Sequence, residues 1–194
     1  MIVSNSGWPR IRQFLKEKLF FGQEPTTELL AILMVYLVQG IVGLARLAIS
    51  FFLKDELGLS PAEVSALVGV AMLPWMVKPL FGFISDGLPI AGYRRRPYLI
   101  LAGLLGALSW VALATVVDSA GTAVAAIALG SFSIAFSDVI VDSLVVERAR
   151  SESLGTAGSL QSLCWGSTAL GGLLTAYFSG SLLQHFSPRT VFGI

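Results

Sequence analysis

Cysteine, histidine and charge are all scarce in this sequence. The 194 residues include one cysteine, Cys164, and one histidine, His185, which excludes an internal disulfide, a cysteine metal site and a histidine cluster. Charged residues are 13% of the chain, whereas soluble domains average about 25%. Because 13 basic residues nearly balance 12 acidic ones, the net charge gives no indication of nucleic-acid binding. We therefore expect no metal, no cofactor and no nucleic-acid partner.

Hydrophobic residues, by contrast, make up 55% of the chain and are gathered in long runs. A helix needs about 20 apolar residues to cross a bilayer. The runs predict an all-α polytopic membrane protein in which residues 28–194 form the transmembrane part. The predicted spans are residues 28–53, 61–86, 98–117, 121–147 and 155–183, followed by a sixth, truncated span from 190. Pro74 and Pro79 predict a kink in the second span.

Residues 1–27 mix basic and apolar side chains. We expect an amphipathic segment on the membrane surface, with a disordered basic tail as the alternative. The basic residues expected at the lipid headgroups are Arg10, Arg12, Lys16 and Lys18. If the spans alternate, this segment lies on the same side as the basic residues in 94–96 and 148–150, so the positive-inside rule predicts a cytoplasmic N-terminus. No secretory signal peptide is expected, because no apolar segment is followed by a small-residue cleavage site.

Two carboxylates interrupt the fourth predicted span. Asp138 and Asp142 are four residues apart, so they share one face of a helix near its cytoplasmic end. Because a carboxylate in hydrocarbon is costly, both are expected to face a cavity or a partner. A second stripe of small residues points elsewhere and predicts close packing against another helix. This stripe consists of Ala126, Gly130, Ser133 and Ser137.

Lys78 in the second span lies at the same predicted depth as Asp138, about 12–14 Å from the cytoplasmic end. An unpaired buried charge is costly, so we predict that Lys78 pairs with Asp138 or Asp142. The pair is either a structural salt bridge or a substrate- or proton-responsive site, and intramembrane ionisable groups favour the second interpretation. Arg46 lies nearer the outer side, where substrate-facing and snorkelling roles are equally compatible with the sequence. Other candidate contacts for a small molecule are Gln39, Trp75, Gln161 and Trp165.

The end of the second span carries a recognisable pattern. Gly82 and Asp86, followed by the basic run Arg94-Arg95-Arg96, resemble the G-x-x-x-D…R-R signature of the major facilitator superfamily. A glycine permits close helix approach, and the aspartate can pair with an arginine to stabilise one conformation. We expect either this basic run or Arg148 to lie within pairing distance of Asp86.

A longer series of motifs is more specific. The segments are Lys78-Pro-Leu-Phe-Gly-Phe-Ile-Ser-Asp86, Gly92-Tyr-Arg-Arg-Arg-Pro97, Ser137-Asp-Val-Ile-Val-Asp142 with Val-Val-Glu-Arg148, and Leu160-Gln-Ser-Leu-Cys-Trp-Gly166. In this order they resemble the folate–biopterin transporter family, a branch of the major facilitator superfamily. The resemblance covers predicted spans one to five.

The resemblance implies a twelve-span secondary transporter that works by alternating access. This chain would be its N-terminal six-helix half, built as two inverted three-helix repeats in the bilayer, and the C-terminal half would be missing. The implied cargo is a folate or pterin, and the implied membrane is a bacterial inner membrane of cyanobacterial type or a plastid envelope. Because folate is anionic, we expect co-transport of protons to offset the cost of moving its charge. A carboxylate of Asp138 or Asp142 could accept adjacent pterin N–H groups, and Arg46 or Lys78 could bind a glutamate tail. Trp75 and Trp165 could flank the flat ring.

Two other functions are compatible with membrane helices that carry acids. One is transport of a different small organic solute by the same kind of fold. The other is a membrane enzyme in which Asp138 and Asp142 bind Mg²⁺ and a diphosphate. The apolar residues 139–141 between the acids, and the lack of a second acidic cluster, argue against an enzyme.

Overall fold

The computed structural model describes residues 13–150 and 154–194, and their regular structure is helical apart from one isolated bridge between Ile90 and Tyr93. Arg10 and Arg12 of the predicted amphipathic segment lie outside the described residues. The helices are α1 (Leu15–Leu19, a π-helical turn), α2 (Thr27–Ile41), α3 (Gly43–Phe51, extended by a π-helical turn at Phe52–Glu56), α4 (Pro61–Ala71), α5 (Leu73–Met76), α6 (Lys78–Gly87), α7 (Arg96–Thr115), α8 (Ala120–Arg150), α9 (Leu154–His185) and α10 (Pro188–Phe192).

Three helical segments are long and apolar enough to cross a membrane: Thr27–Glu56, Arg96–Thr115 and Ala120–Arg150. They correspond to the first, third and fourth predicted spans. Many of their large apolar side chains are exposed, among them Met34, Leu104 and Leu108, as expected for surfaces that face lipid. The protein is therefore an integral membrane protein. The second and fifth spans correspond to α4–α6 and α9 and remain predictions, since α4 is short and α9 is not among the described helices that are both long and apolar enough to cross a membrane.

The second predicted span is divided rather than continuous. It begins with a capping box in which the Ser60 backbone N–H donates to the Glu63 carboxylate over 2.8 Å. The helix is then interrupted at Met72 and Val77. Each interruption lies two residues before a proline, which lacks a backbone donor and displaces the preceding turn. The predicted kink is thus present as two short breaks, and the second break sets the start of α6 at Lys78.

Glycine and serine make the closest helix contacts. Gly40 of α2 faces Gly171 of α9 so closely that a Cβ on Gly171 would lie 2.3 Å from the Leu37 carbonyl oxygen. Thr168 donates to the Tyr36 carbonyl over 3.1 Å along the same seam. Sequence reasoning did not identify this contact, because α9 has several glycines and only packing selects among them.

A second seam joins α7 and α8. The Ser109 hydroxyl donates to the Ala126 carbonyl over 2.7 Å, and the Ser133 hydroxyl donates to the Ala102 carbonyl over 2.5 Å. A Cβ on Gly130 would lie 2.7 Å from the Ser109 hydroxyl oxygen. Ala126, Gly130 and Ser133 therefore pack as their small-residue spacing predicted. Ser137 lines an apolar cavity between α2, α7 and α8, which Ser133 also borders.

An arginine joins three helix ends on the side opposite Asp86. Arg189 at the start of α10 donates to the Glu56 carboxylate over 2.8 Å and to the Val117 carbonyl over 2.6 Å. Its guanidinium also lies 4.9 Å from the centre of the Phe52 ring. Arg189 thereby connects the start of α10 to the ends of the first and third spans.

Candidate functional site

The predicted ion pair between the second and fourth spans is present. The Lys78 ammonium donates to the Asp138 carboxylate, and the two side chains are 27% and 13% exposed. The Lys78 nitrogen also lies 4.8 Å from the centre of the Trp75 ring, which adds a cation–π contact. On the same two helices, the stacked rings of Phe81 and Phe136, 5.0 Å apart, hold α6 against α8. The pair is therefore positioned by packing on both helices.

The second acid has a different partner, which sequence reasoning missed. The Tyr36 hydroxyl of α2 donates to the Asp142 carboxylate over 2.5 Å. Tyr36 is 9% exposed and belongs to a core cluster that includes Leu29, Ile32 and Leu160. The available signal was its position one turn before Gln39, which places both side chains on one face of the helix. Each acid of α8 is thus held by one side chain from a different span.

A cavity of 470 Å³ opens beside the two acids, and we call it the central cavity. It is lined by Tyr36, Gln39, Asp138, Asp142, Val145, Val146, Gln161, Trp165 and Thr168. Five of these residues were predicted from the sequence as contacts for a small molecule. Gln161 and the 69%-exposed Trp165 contribute the α9 wall, opposite the acids.

The cavity combines three chemical features. Carboxylate oxygens on α8 accept hydrogen bonds, amide groups from α2 and α9 both donate and accept, and an indole ring offers a flat apolar surface. Such a site suits a flat, polar heterocycle better than an aliphatic ligand. Among the described residues, no group of three or more histidine, cysteine or acidic side chains could hold a metal ion.

Not every predicted contact lines the central cavity. Arg46 is exposed on α3, two turns beyond Gln39. Lys78 contacts Asp138 of the cavity lining, and Trp75 contacts Lys78. A neighbouring cavity of 420 Å³, which we call the end cavity, shares Asp142 and Val146 with the central one. It continues to Asp86, Arg95 and Glu147, so polar groups connect the acids to the predicted cytoplasmic end.

At that end, Arg95 links two spans. It donates to the Asp86 carboxylate over 3.0 Å and to the Glu147 carboxylate over 2.6 Å. The bond to Glu147, more than that to Asp86, raises the pKa of Arg95, while partial burial opposes this rise. The predicted partner of Asp86 is therefore found within the basic run. Gly82 packs nearby, where a Cβ would lie 3.5 Å from the Val139 side chain.

The neighbouring arginines have other positions. Arg148 donates to the Thr26 hydroxyl over 2.9 Å and to the Glu24 carbonyl over 3.1 Å, so it fastens the segment before α2 to the end of α8. Arg148 therefore contacts the segment before α2, and the ion-pair partner of Asp86 is Arg95 instead. Arg94 and Arg96 line a shallow surface cavity with Tyr93 and Leu144.

Apolar helices around ion-paired, partly buried acids and a polar cavity define a polytopic membrane protein with charged groups inside its helical bundle. Residues 39–194 match the model of the BT1 family, and the chain belongs to that family. This confirms the resemblance drawn from the motifs.

Curated relatives carry concordant names. The chain is 56% identical over 184 residues to a folate-biopterin transporter of Synechocystis sp., covering 95% of this chain and 37% of the relative. It is 34% identical to probable folate-biopterin transporter 4 of Arabidopsis thaliana, over 82% of this chain and 33% of the relative. It is 30% identical to folate transporter 2 of Plasmodium falciparum, over 97% of this chain and 40% of the relative.

The chain thus spans between a third and two fifths of these relatives. Their names describe transporters and not enzymes, in agreement with the interpretation of the sequence. No solved structure matches the chain.

Proposed function

We propose that the protein is a secondary active transporter of folate or pterin compounds, coupled to protons and working by alternating access. The observation that carries this proposal is the Lys78–Asp138 pair beside the central cavity, in a chain whose relatives are named folate-biopterin transporters. Intramembrane charges are costly to retain, and their usual reason is transport of a solute or a proton.

The chemistry of the central cavity fits a pterin. The ring presents adjacent N–H donors that a carboxylate can accept together, and Asp142 offers an oxygen beyond the one that the Tyr36 hydroxyl contacts. The ring face can stack on Trp165, with Gln161 one turn away. This match of donors, acceptors and a flat surface favours a pterin-like ring over an unspecified organic solute, which is the second candidate cargo.

Proton coupling follows from the charge of folate. Moving one negative charge against an inside-negative potential costs about 2.3 kcal/mol per 100 mV. Co-transport of protons would offset this cost, and Asp142 is the acid in the cavity that lacks a basic ion-pair partner among the described residues. We therefore assign Asp142 as the proton-binding group and the Lys78–Asp138 pair as the element that responds to its charge.

The two arginine contacts at opposite ends support an inverted-repeat architecture. Arg95 at the start of the third span pairs with Glu147 at the end of the fourth. Arg189 at the start of α10 pairs with Glu56 at the end of the first. In an inverted repeat, spans four to six have the same arrangement as spans one to three. The fourth span then corresponds to the first, and the sixth span corresponds to the third. The Arg95–Glu147 pair therefore corresponds to the Arg189–Glu56 pair.

We further propose a cytoplasmic N-terminus, in a bacterial inner membrane or a plastid envelope, because basic residues concentrate on the side of Arg95. The test uses single-cysteine variants in which the buried Cys164 is also replaced. Arg94→Cys should react with a membrane-impermeant thiol reagent added on the cytoplasmic side, and Asp118→Cys with the reagent added on the opposite side. Labelling of both from one side would reject this topology.

Uptake by bacterial cells that produce the full-length protein and have no folate uptake of their own tests the function. Tritiated folate should accumulate faster under an inward proton gradient, and 6-methylpterin should compete. Asp142→Asn should abolish this accumulation with protein still present in the membrane. A protonophore that leaves uptake unchanged would reject proton coupling, and no uptake by the full-length protein once inserted in the membrane would reject the cargo.

A further inference from the structure

Two of the three adjacent arginines have no acidic partner in the described part of the chain. Arg95 pairs with Asp86 and Glu147, whereas Arg94 and Arg96 are exposed and form no such pair. The shallow cavity between them, which we call the arginine cavity, has a volume of 340 Å³. Glu147 is the acidic residue in its lining, and Arg95 neutralises that carboxylate. The arginine cavity therefore presents a positive charge and suits an anion.

The loop that carries the two exposed arginines is held in one shape. Residues 90–93 form a tight turn, which is closed by two reciprocal backbone hydrogen bonds of 2.9 Å. The Tyr98 hydroxyl donates to the Leu88 carbonyl over 2.7 Å, and Arg95 fastens the end of the loop to the second span. Because the loop is ordered before a ligand arrives, binding there costs less conformational entropy.

The arginine cavity lies where α7 enters the bilayer. α7 contains 20 residues, which rise about 30 Å and match the thickness of the hydrocarbon core. Its first residue, Arg96, is therefore at the level of the lipid headgroups. Ile100, Leu104 and Leu108 follow Arg96 at intervals of four residues, and each is more than half exposed. This apolar stripe lies on the side of α7 away from Ser109, which contacts α8.

We propose that the arginine cavity binds the phosphodiester of an anionic membrane lipid, with an acyl chain along the apolar stripe of α7. A guanidinium can form two parallel hydrogen bonds to a phosphate, and it is more weakly hydrated than an ammonium. Tyr93 is exposed beside the arginines, at a level of the membrane where tyrosine is favoured. The stripe argues for a lipid over a soluble phosphate compound, because only a lipid has a chain that would cover it. The site is separate from the central cavity, so this proposal does not rest on the function proposed above.

Lipid titration of the purified full-length protein in a neutral detergent, followed by native mass spectrometry, tests the site. The two probes are phosphatidylglycerol, which is anionic, and phosphatidylcholine, which has no net charge. A basic residue near an anionic lipid contributes about fivefold to binding, so the wild type should prefer phosphatidylglycerol about twentyfold. Arg94→Gln with Arg96→Gln should abolish this preference. Arg94→Lys with Arg96→Lys keeps both charges but loses the paired hydrogen bonds, so it should weaken phosphatidylglycerol about fivefold.

Two controls distinguish this site from general attraction to positive charge and from binding of a soluble anion. Arg150→Gln removes an exposed arginine that lines the end cavity and not the arginine cavity, so it should keep the preference. Excess inorganic phosphate should not displace the lipid, because it has no chain to contact the apolar stripe. Displacement by phosphate would assign the cavity to a soluble compound and overturn the proposal. Wild-type affinity for phosphatidylglycerol in either double variant, or an equal loss in Arg150→Gln, would overturn it as well.

Discussion

The Tyr36 hydroxyl of the first span donates to the Asp142 carboxylate of the fourth span over 2.5 Å. This bond connects two helices across the central cavity and fixes one oxygen of the acid that we assign to cargo and proton. Because the Tyr36 ring is packed among apolar side chains, the direction of the hydroxyl is set by the core and not by the ligand.

Removing that hydroxyl should affect the cargo more than the fold. Tyr36→Phe keeps the packed ring but leaves Asp142 without its orienting donor, so we expect the affinity for pterin to fall about tenfold with little loss of folded protein. Competition binding and size-exclusion yield measure the two effects. Tyr98→Phe is the matched control. Tyr98 does not line the central cavity, and its hydroxyl donates to the Leu88 carbonyl over 2.7 Å, so removing this hydroxyl should leave the affinity for pterin unchanged. Equal affinity losses in both variants would argue against a role for the Tyr36–Asp142 bond.

Arg95 should control the rate of the transport cycle. Its acidic partners are 50% and 57% exposed, so each contact contributes only about 0.2–1 kcal/mol to stability. Asp86→Asn and Arg95→Gln should therefore fold normally but disconnect the ends of the second and fourth spans, lowering maximal uptake several-fold at nearly constant KM. Lys54→Gln changes an exposed basic residue at the end of the first span and serves as the control. Unchanged turnover together with a large loss of affinity would contradict this role.

Two adjacent glycines of α9 should respond in opposite ways to alanine. A Cβ on Gly171 would lie 2.3 Å from the backbone oxygen of Leu37, whereas a Cβ on Gly172 meets nothing within 4 Å. Gly171→Ala should therefore destabilise the protein by about 1–3 kcal/mol or more by forcing α2 and α9 apart. Gly172→Ala should be neutral or stabilising by up to about 1 kcal/mol. Thermal unfolding in detergent compares the two, and similar melting temperatures would show that the helices do not meet at this contact.

The sequence was sufficient for features that depend on counting along a helix. The Lys78–Asp138 contact could be predicted because both residues lie at the same depth, and the face shared by Asp138 and Asp142 follows from helical periodicity. The small-residue stripe of α8 likewise identified Gly130 and Ser133 as packing positions.

Features that depend on the rotation and approach of helices could not be predicted in this way. The choice of Tyr36 as the partner of Asp142 depends on how α2 is turned toward α8. The choice of Arg95 among three adjacent arginines depends on the loop that precedes α7. The contact between Gly40 and Gly171 depends on backbone shape at a single crossing, and no periodic pattern distinguishes Gly171 from the next glycine.

The charge pair itself gives the most direct test of the central claim, that intramembrane charges serve transport. Asp138→Asn should lower folded yield, because removing one partner of a buried pair costs about 3–5 kcal/mol and Lys78 is left unpaired. The double variant Lys78→Met with Asp138→Leu removes both charges and should restore the yield. The decisive measurement is proton-driven uptake of tritiated folate by that double variant at matched protein levels. The account predicts wild-type yield with no uptake, whereas full uptake would contradict it and reduce the pair to a packing element.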